Sequence, residues 1–251
     1  MKIVISNIEQ FGNFFDVIYD ESSETIELRF FMDKMTCGIL NKAHTRFFYA
    51  EYESKFFDEY DVDKPQSYMV SADDFYKLMK LANKTDVLTI EFKDDLIYCE
   101  LENNGNKRIF EFPYPYDEVS SPDFPQVALP VTIDLEIADI TQTIKDIKMV
   151  GNHIFQFVVS KDTVTLMSDT TTETYDTSSI KYASVIEADV EYDGVLSVRF
   201  PFTAIKQMSD FKKIAKEIEI ELGEKALVYK VEDEFMGVTV RGMIAPLIEE
   251  E

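Results

Sequence analysis

Positive charge is scarce in this chain. Its 251 residues carry 25 Lys and Arg against 48 Asp and Glu, a formal net charge of −23. Phosphate contacts need cations, so the total taken as a whole argues against a nucleic-acid partner. Glycine is scarce too: eight residues leave little for a phosphate-cradling loop, and no such motif occurs. The two histidines, His44 and His153, lie far apart, and there is no GxSxG or HExxH, which excludes the common hydrolase arrangements. Asp61 with Asp63, and Asp94 with Asp95, have a spacing suited to metal carboxylates, but such pairs arise freely among 48 acids. The expectation is therefore a protein that is not an enzyme, with no catalytic residue, no metal ligand and no cofactor. Cys37 and Cys99 lack CxxC or CxxH spacing and read as core thiols in a reducing compartment. No apolar run approaches the ~20 residues of a membrane span. The opening MKIVISNIEQFGNFF, broken early by Ser6, Asn7 and Glu9, does not read as a secretory leader. A soluble, intracellular chain without a membrane partner is expected.

What is present is a full core. Forty-five per cent of the residues are hydrophobic and 13% aromatic, which excludes disorder. Pro113–Pro130 holds five of the eight prolines and reads as an extended surface connector near the midpoint. The expected organisation is a domain over 1–116, a connector over 117–131 and a second domain over 132–251. The two halves resemble each other. Ser71–Leu101 overlays Pro201–Val231 at an offset of 130, matching Phe75 to Ile205, Leu78 to Met208 and Ile90 to Ile220. Thr25–Ile39 overlays Ile154–Ser168 at an offset of 129, with hairpin turns expected at Asp33-Lys34 and Lys161-Asp162. Apolar stripes predict two helices per half. They are Ile8, Phe11, Phe15 and Ile18; Phe75, Leu78, Met79 and Ala82; Ile137, Ile140, Ile144 and Ile147; and Ile205, Met208 and Ala215. Alternation in LTIEF, IFEF, VTLM, SVIEADVEY, VLSVRF, IEIEL and VTVRG predicts strands, so the class is α+β with antiparallel sheet dominant.

The few cations are not scattered. Three helical windows, Ala72–Lys84, Ala138–Met149 and Thr203–Lys216, contain Lys77, Lys80, Lys84, Lys145, Lys148, Lys206, Lys212, Lys213 and Lys216. Against these nine stand five acids, Asp73, Asp74, Asp139, Asp146 and Asp210, so the windows sum to +4 and the remainder to −27. The spacing puts each set on a face away from the apolar stripe: Lys77, Lys80 and Lys84; Lys145 and Lys148; Lys206, Lys213 and Lys216. For one helix a solvated face is the simpler explanation. Three such stripes in a strongly acidic chain point instead to a surface that holds a duplex by its phosphates without reading bases. The segment Ile8–Asp20 departs from this pattern, carrying Glu9, Asp16 and Asp20 and no Lys or Arg. Because the Debye length is ~8–10 Å at physiological salt, local charge rather than the total decides what a phosphate experiences.

On these residues the chain resembles the sliding clamps of the proliferating cell nuclear antigen family. The tail MIAPLIEEE (Met243–Glu251) is similar to that family's Ala-Pro ending before terminal acids. LNKAHT (Leu40–Thr45) lies where the family has Met-Asp-x-Ser-His-Val and keeps His44, and YDVDKP before SADDFYKLMKLA matches its Tyr-to-Pro approach to the second helix. The resemblance implies the DNA clamp fold: two duplicated domains, each with two helices packed on antiparallel sheets, assembled as a three-subunit ring. It implies non-sequence-specific double-stranded DNA in the channel, contacted by the nine lysines named above. It also implies a docking pocket for DNA polymerase, the clamp loader and other replication and repair proteins bearing a short hydrophobic motif. By position that pocket would use Leu40, His44, Thr45, Phe124, Pro125, Ile244, Ala245 and Pro246. Here Thr45 stands where the family has an apolar residue, Leu40 replaces Met, and Glu224 or Lys225 falls where a proline usually lies. Subunit contact would use edge strands at Lys107–Phe112 and Tyr175–Tyr182. The ring is a homotrimer or a heterotrimer, and the compartment is the nucleus or a nucleoid-associated cytoplasm according to the host. The alternatives left open are a monomeric processivity factor and a checkpoint-type subunit working only with paralogues. A DNA-mimicking inhibitor would carry no lysine stripes.

Overall fold

Alternating segments become antiparallel strands and period-3.6 stripes become helices, in two compact units. The structure, a computed structural model, describes residues 1–19, 21–93, 96–113, 124–151, 153–168, 182–188, 190 and 192–247. The first unit comprises Met1–Pro125 and Glu232–Arg241, the second Gln126–Val231 and Gly242–Glu251. Asp20, Asp94, Asp95, most of the proline-rich connector, residues 175–181 of one expected edge strand and the last four residues lie outside the described set.

In the first unit the order is β1 (Lys2–Ile5), α1 (Ile8–Ile18), β2 (Thr25–Phe30), β3 (Lys34–Leu40), β4 (Arg46–Glu53), β5 (Glu59–Asp61), β6 (Gln66–Ser71), α2 (Ala72–Leu81), β7 (Val87–Lys93), β8 (Leu96–Asn103) and β9 (Asn106–Pro113). One sheet runs β5-β1-β7-β8-β9, and another runs β4-β3-β2-β6, with residues 238–241 beside β4. The helices pack on each other and over β2, β4 and β6. Their apolar faces bring Phe11, Phe14, Phe15 and Phe75 together with Tyr52, all fully buried; the Phe15 and Phe75 rings meet tilted, with centroids 5.0 Å apart. Asp61 lies in β5 opposite Lys2 of β1.

The second unit holds β10 (Val131–Glu136), α3 (Ile137–Val150), β11 (Ile154–Ser160), β12 (Thr163–Ser168), β13 (Tyr182–Glu187), β14 (Leu196–Pro201), the one-turn α4 (Phe202–Ile205), a 3₁₀-helix (Lys206–Lys213), β15 (Glu217–Gly223), β16 (Ala226–Asp233) and β17 (Val238–Ile244). The last two strands have ends assigned to the first unit. One sheet is β13-β12-β11-β14, and β10-β15-β16 run side by side in another. Ile137, Ile140, Ile144 and Ile147 of α3 are buried, as the stripe predicts. Gly151 ends α3 in the left-handed region at φ 77°, donating its N–H to the last carbonyls, a conformation glycine adopts without steric cost.

The duplication extends to strand register. Phe30 faces Met35 across β2–β3, and 129 residues on Val159 faces Val164 across β11–β12. Ile90 faces Cys99 across β7–β8, and 130 residues on Ile220 faces Tyr229 across β15–β16. The chain is thus α+β, with two duplicated halves each carrying helices on antiparallel sheet.

Four local expectations need correction. The first hairpin turns at Met32-Asp33, one residue earlier than expected, because the Phe31 N–H reaches the Lys34 carbonyl at 2.8 Å. The second turns at Lys161-Asp162 as read. The strand pattern SVIEADVEY continues only to Glu187. Helix α2 stops at Leu81, so Lys84 lies beyond it: the Arg108 guanidinium bonds the Leu81 carbonyl at 2.9 Å and the Asp86 carboxylate accepts from the Asn83 N–H at 2.8 Å. The expected α-helix over Thr203–Lys216 is mostly 3₁₀. Ile205, Met208, Phe211 and Ile214 are all buried and recur every three residues, the period at which 3₁₀ side chains eclipse. Ser209 reinforces that winding by donating its hydroxyl to the Lys206 carbonyl at 2.8 Å.

Candidate nucleic-acid interface

Each unit has a groove between its two helical segments, and the first segment of each supplies its wall from matching positions. Counting from the helix starts at Ile8 and Ile137, Gly12 corresponds to Thr141, Asn13 to Gln142, Asp16 to Lys145 and Tyr19 to Lys148. The first groove, about 340 Å³, is lined by Glu9, Gly12, Asn13 and Asp16 from α1 and by Lys80 and Lys84 from α2 and the loop after it. The second, about 560 Å³, is lined by Thr141, Gln142 and Lys145 from α3 and by Lys212 and Lys216, with Glu136 and Glu217 at one end.

The first groove is closed electrically. Lys80 pairs with Asp16 and Lys84 with Glu9, each joining α2 or its following loop to α1, while Lys77 pairs with Asp73 one turn back. Burial pulls the Lys80 ammonium down, but the hydrogen bond and charge of Asp16 outweigh it and raise it overall. The hydrogen bond to Asp73 raises Lys77. Lys80 also lies 5.1 Å above the Tyr76 ring, which stacks flat on Tyr19 at 3.9 Å. Adding Glu9 and Asp16 to the acids and lysines of 72–84 gives this face three cations against four anions.

Asp86 and Arg108 hold the loop that carries Lys84, and sequence reading missed both. Asp86 is 1% exposed and receives bonds from Asn83, from Asn103 at 2.8 Å and from Arg108. Burial alone would raise its carboxyl; the Asn83 and Asn103 hydrogen bonds and the Arg108 charge hold it below the usual aspartate range. No periodicity marks such a pair, because Asp86 sits in the loop between Thr85 and the first residue of β7 and its partners Asn103 and Arg108 come from distant positions.

The second groove is open. Lys145, Lys148, Lys206, Lys212 and Lys216 are exposed, and among the described residues no carboxylate lies within ion-pairing reach of any of them; Lys213 is 3.8 Å from Asp210. The acid that follows Lys145, Asp146, is occupied by neutral donors, Gln142 at 2.9 Å and the Tyr182 hydroxyl at 3.0 Å. The 3₁₀ winding changes the expected stripe. Lys206, Ser209 and Lys212 share a row, and Lys213 falls on the next row with Asp210, so Lys206, Lys213 and Lys216 do not form one face.

Of the expected docking residues, Leu40 is half-buried at the end of β3, with its carbonyl accepting from Ser23 at 3.2 Å. His44 and Thr45 are exposed in a loop organised by buried Asn41. The Asn41 side-chain oxygen accepts from the Thr45 and Arg46 N–H groups, both at 2.9 Å, and its amide donates to the Thr45 hydroxyl at 3.1 Å. This arrangement holds His44 at φ 55°. Phe124 packs on Phe47 at 5.8 Å and Tyr49 at 6.1 Å, with Pro125 half-buried beside it in sequence. In the second unit Ile244 is 1% exposed and belongs to the core; Ala245 and Pro246 are half-buried, and the Leu247 N–H bonds the Arg199 carbonyl at 2.8 Å. The expected edge segment 107–112 lies in β9, and β13 begins at Tyr182. Both are outermost strands of their sheets among the described residues, and Ile109 and Val185 project from them 53% and 65% exposed. Cys37 and Cys99 are buried, and burial pushes both thiols up to about 12, well away from thiolate chemistry at neutral pH.

No helix among the described residues is long and apolar enough to cross a membrane. No protein-family model matches this chain, and no curated protein matches it in sequence. Solved structures do match over its length. Proliferating cellular nuclear antigen from Entamoeba histolytica superposes with a TM-score of 0.81 at 16% identity, covering 98% of each chain. A chain of the PCNA2–PCNA3 complex from Sulfolobus tokodaii superposes with a TM-score of 0.79 at 20% identity, covering 99% of this chain and 100% of that one.

Proposed function

We propose that this chain, whose fold is that of proliferating cell nuclear antigen, is a DNA sliding clamp: a non-enzymatic processivity factor that encircles duplex DNA as a trimer. The observation that carries the reading is the likeness in fold over 98–99% of the chain, combined with lysines gathered on the helical segments of an otherwise acidic protein. Lys145, Lys148, Lys206, Lys212 and Lys216, without ion pairs among the described residues, suit loose, sequence-independent phosphate contact, and the acidic remainder of the chain disfavours DNA elsewhere. Outermost strands β9 and β13 suit pairing between subunits, because an edge strand left unpaired is an aggregation hazard that ring closure removes. Polymerases, clamp loaders and repair proteins would dock by a short hydrophobic motif. The first unit offers Leu40, the His44–Thr45 loop and the Phe124–Pro125 segment for this, and the second unit offers Ala245 and Pro246, with Ile244 supporting them from the core. The working compartment is wherever the host keeps its replicating DNA.

A heterotrimer is the second reading, favoured by the match to a complex of two different clamp chains. Size-exclusion chromatography with light scattering separates the two. Three times the 29.1 kDa chain mass supports the homotrimer, and a stable mass of one chain rules it out. Retention on circular but not on linear duplex after loading tests encirclement itself.

A further inference from the structure

The two helical grooves share matching wall positions on α1 and α3 yet handle charge in opposite ways. In the first, each of Lys77, Lys80 and Lys84 already has a carboxylate partner, and two of those partners, Asp16 and Glu9, line the groove. A phosphate approaching Lys80 would have to displace Asp16, whose side chain is 18% exposed, and would then face the released anion. In the second groove the position matching Asp16 is Lys145. Lys145, Lys212 and Lys216 line it without ion pairs among the described residues, and the adjoining carboxylate of Asp146 is taken up by Gln142 and Tyr182. A separate observation marks the same groove. Thr141, which lines it, is 7% exposed and its hydroxyl has no hydrogen-bond partner, an arrangement that costs free energy unless a ligand supplies one. Glu136 and Glu217 face each other across β10 and β15 at the strand end of the groove, and there they restrict where an anion can sit to the α3 and 3₁₀ side. Lys206 and Lys212, on one row of the 3₁₀-helix, have Cα atoms about 12 Å apart at a rise of ~2 Å per residue, which extends the cationic track beyond one phosphate.

We propose that the groove between α3 and the 3₁₀-helix of the second unit is the seat for DNA backbone phosphates, held by Lys145, Lys212 and Lys216 with Thr141 as the neutral donor. Lys80 and Lys84 of the first unit serve instead as internal counter-charges to α1, and Lys77 to Asp73 of its own helix. The inference rests on the clamp reading and deepens it: the two halves of one subunit divide the work, one gripping the duplex and the other passing it at low contact.

The test measures binding of a 30-base-pair duplex by the full-length protein, by fluorescence anisotropy across a salt series. Each lost phosphate contact lowers the slope of log affinity on log salt by about 0.9, so K145A/K212A/K216A is expected to lower it by roughly 2.7. Between 50 and 200 mM salt the wild-type advantage over that variant should therefore change by roughly 40-fold. K77A/K80A/K84A should leave the slope at the wild-type value. E9Q/D16N, which frees Lys84 and Lys80, should steepen it. T141V should weaken binding roughly three- to tenfold at unchanged slope, as expected for loss of one uncharged donor. Equal loss of slope in both triple-alanine variants overturns the division of labour while leaving the clamp reading standing. Absence of salt-dependent duplex binding in the wild type overturns the proposal, and the clamp reading is then decided separately by retention on circular against linear duplex after loading. Loss of inorganic pyrophosphate binding in K145A/K212A/K216A without any change in duplex binding would assign the groove to a small anion and overturn the proposal.

Discussion

The helical faces of the two units show how a duplicated fold diverges without changing its strand registers. Both units pair their hairpins at the same offsets, and both bury an apolar stripe from each helical segment. What differs is whether a lysine meets an acid before it meets solvent. At the position where α1 has Asp16, α3 has Lys145, and that reversal turns an internally balanced groove into an open cationic one. Net charge is therefore the wrong scale for this protein. The −23 belongs to the whole chain, whereas an ion near the second unit's helical segments experiences mainly the charges within a screening length of it.

The comparison is sharpened first by asking whether the two cores are equivalent. Phe75 and Phe211 are both essentially buried on the second helical segment of their units. Replacing either with Ala should cost about 3–5 kcal/mol in thermal or denaturant unfolding. Closely matched losses locate the divergence in surface charge alone, whereas a difference above about 2 kcal/mol would mean that the 3₁₀ winding has changed the core as well.

Next in size is Asp86→Ala, which removes the acceptor for Asn83, Asn103 and Arg108 and should cost about 2–3 kcal/mol. The effect carries a pH signature. The folded carboxyl lies below its unfolded value, so its contribution is present above the unfolded pKa and is lost as pH falls through the folded one. The gap between wild type and Asp86→Ala should accordingly close in acid unfolding below about pH 4. A gap that persists there would remove the carboxylate from the account of the Lys84 loop.

Gly12 offers a smaller effect of opposite sign. A Cβ at this position meets nothing within 4 Å, so Gly12→Ala should stabilise the protein by about 0.5–1 kcal/mol in the same assay. Destabilisation would mean that the α1 groove has to stay as narrow-walled as it is.

Smallest on stability is Asp16→Asn. Its partner Lys80 is half exposed, so the lost pair should change unfolding by about 0.5 kcal/mol or less and still less at high salt. A large loss would show that the pair holds α1 to α2 and is more than local charge balance.

The parts of this molecule legible in its sequence are those set by local periodicity. Alternation at offsets of 129 and 130 anticipated which strands form matching hairpins and the second turn, while the first turn lies one residue earlier than read; the Ile137–Ile147 stripe anticipated α3. The 3₁₀-helix was legible in principle: Ile205, Met208, Phe211 and Ile214 repeat every three residues, but a stripe read at 3.6 residues per turn passes over Phe211 and Ile214 and takes in Ala215. Which lysines stay free was not legible, because Glu9 meets Lys84 and Asp16 meets Lys80 only once residues 75 and 64 positions apart are brought together. The burial of Ile244 was hidden for a related reason: an apolar residue before Ala-Pro suits a docking surface and a core strand end equally well. Gly242 nearby is required by close approach, since a Cβ there would lie 2.0 Å from the Tyr229 ring.

The central claim is that the second unit of each subunit grips duplex DNA and the first does not. Lysine-by-lysine acetylation footprinting of the full-length protein, with and without duplex at low salt, tests it most directly. Duplex should slow modification at Lys145, Lys212 and Lys216, with Lys77, Lys80 and Lys84 reacting at the same rate in both conditions. Protection of Lys80 and Lys84 with Lys145, Lys212 and Lys216 unchanged would contradict it.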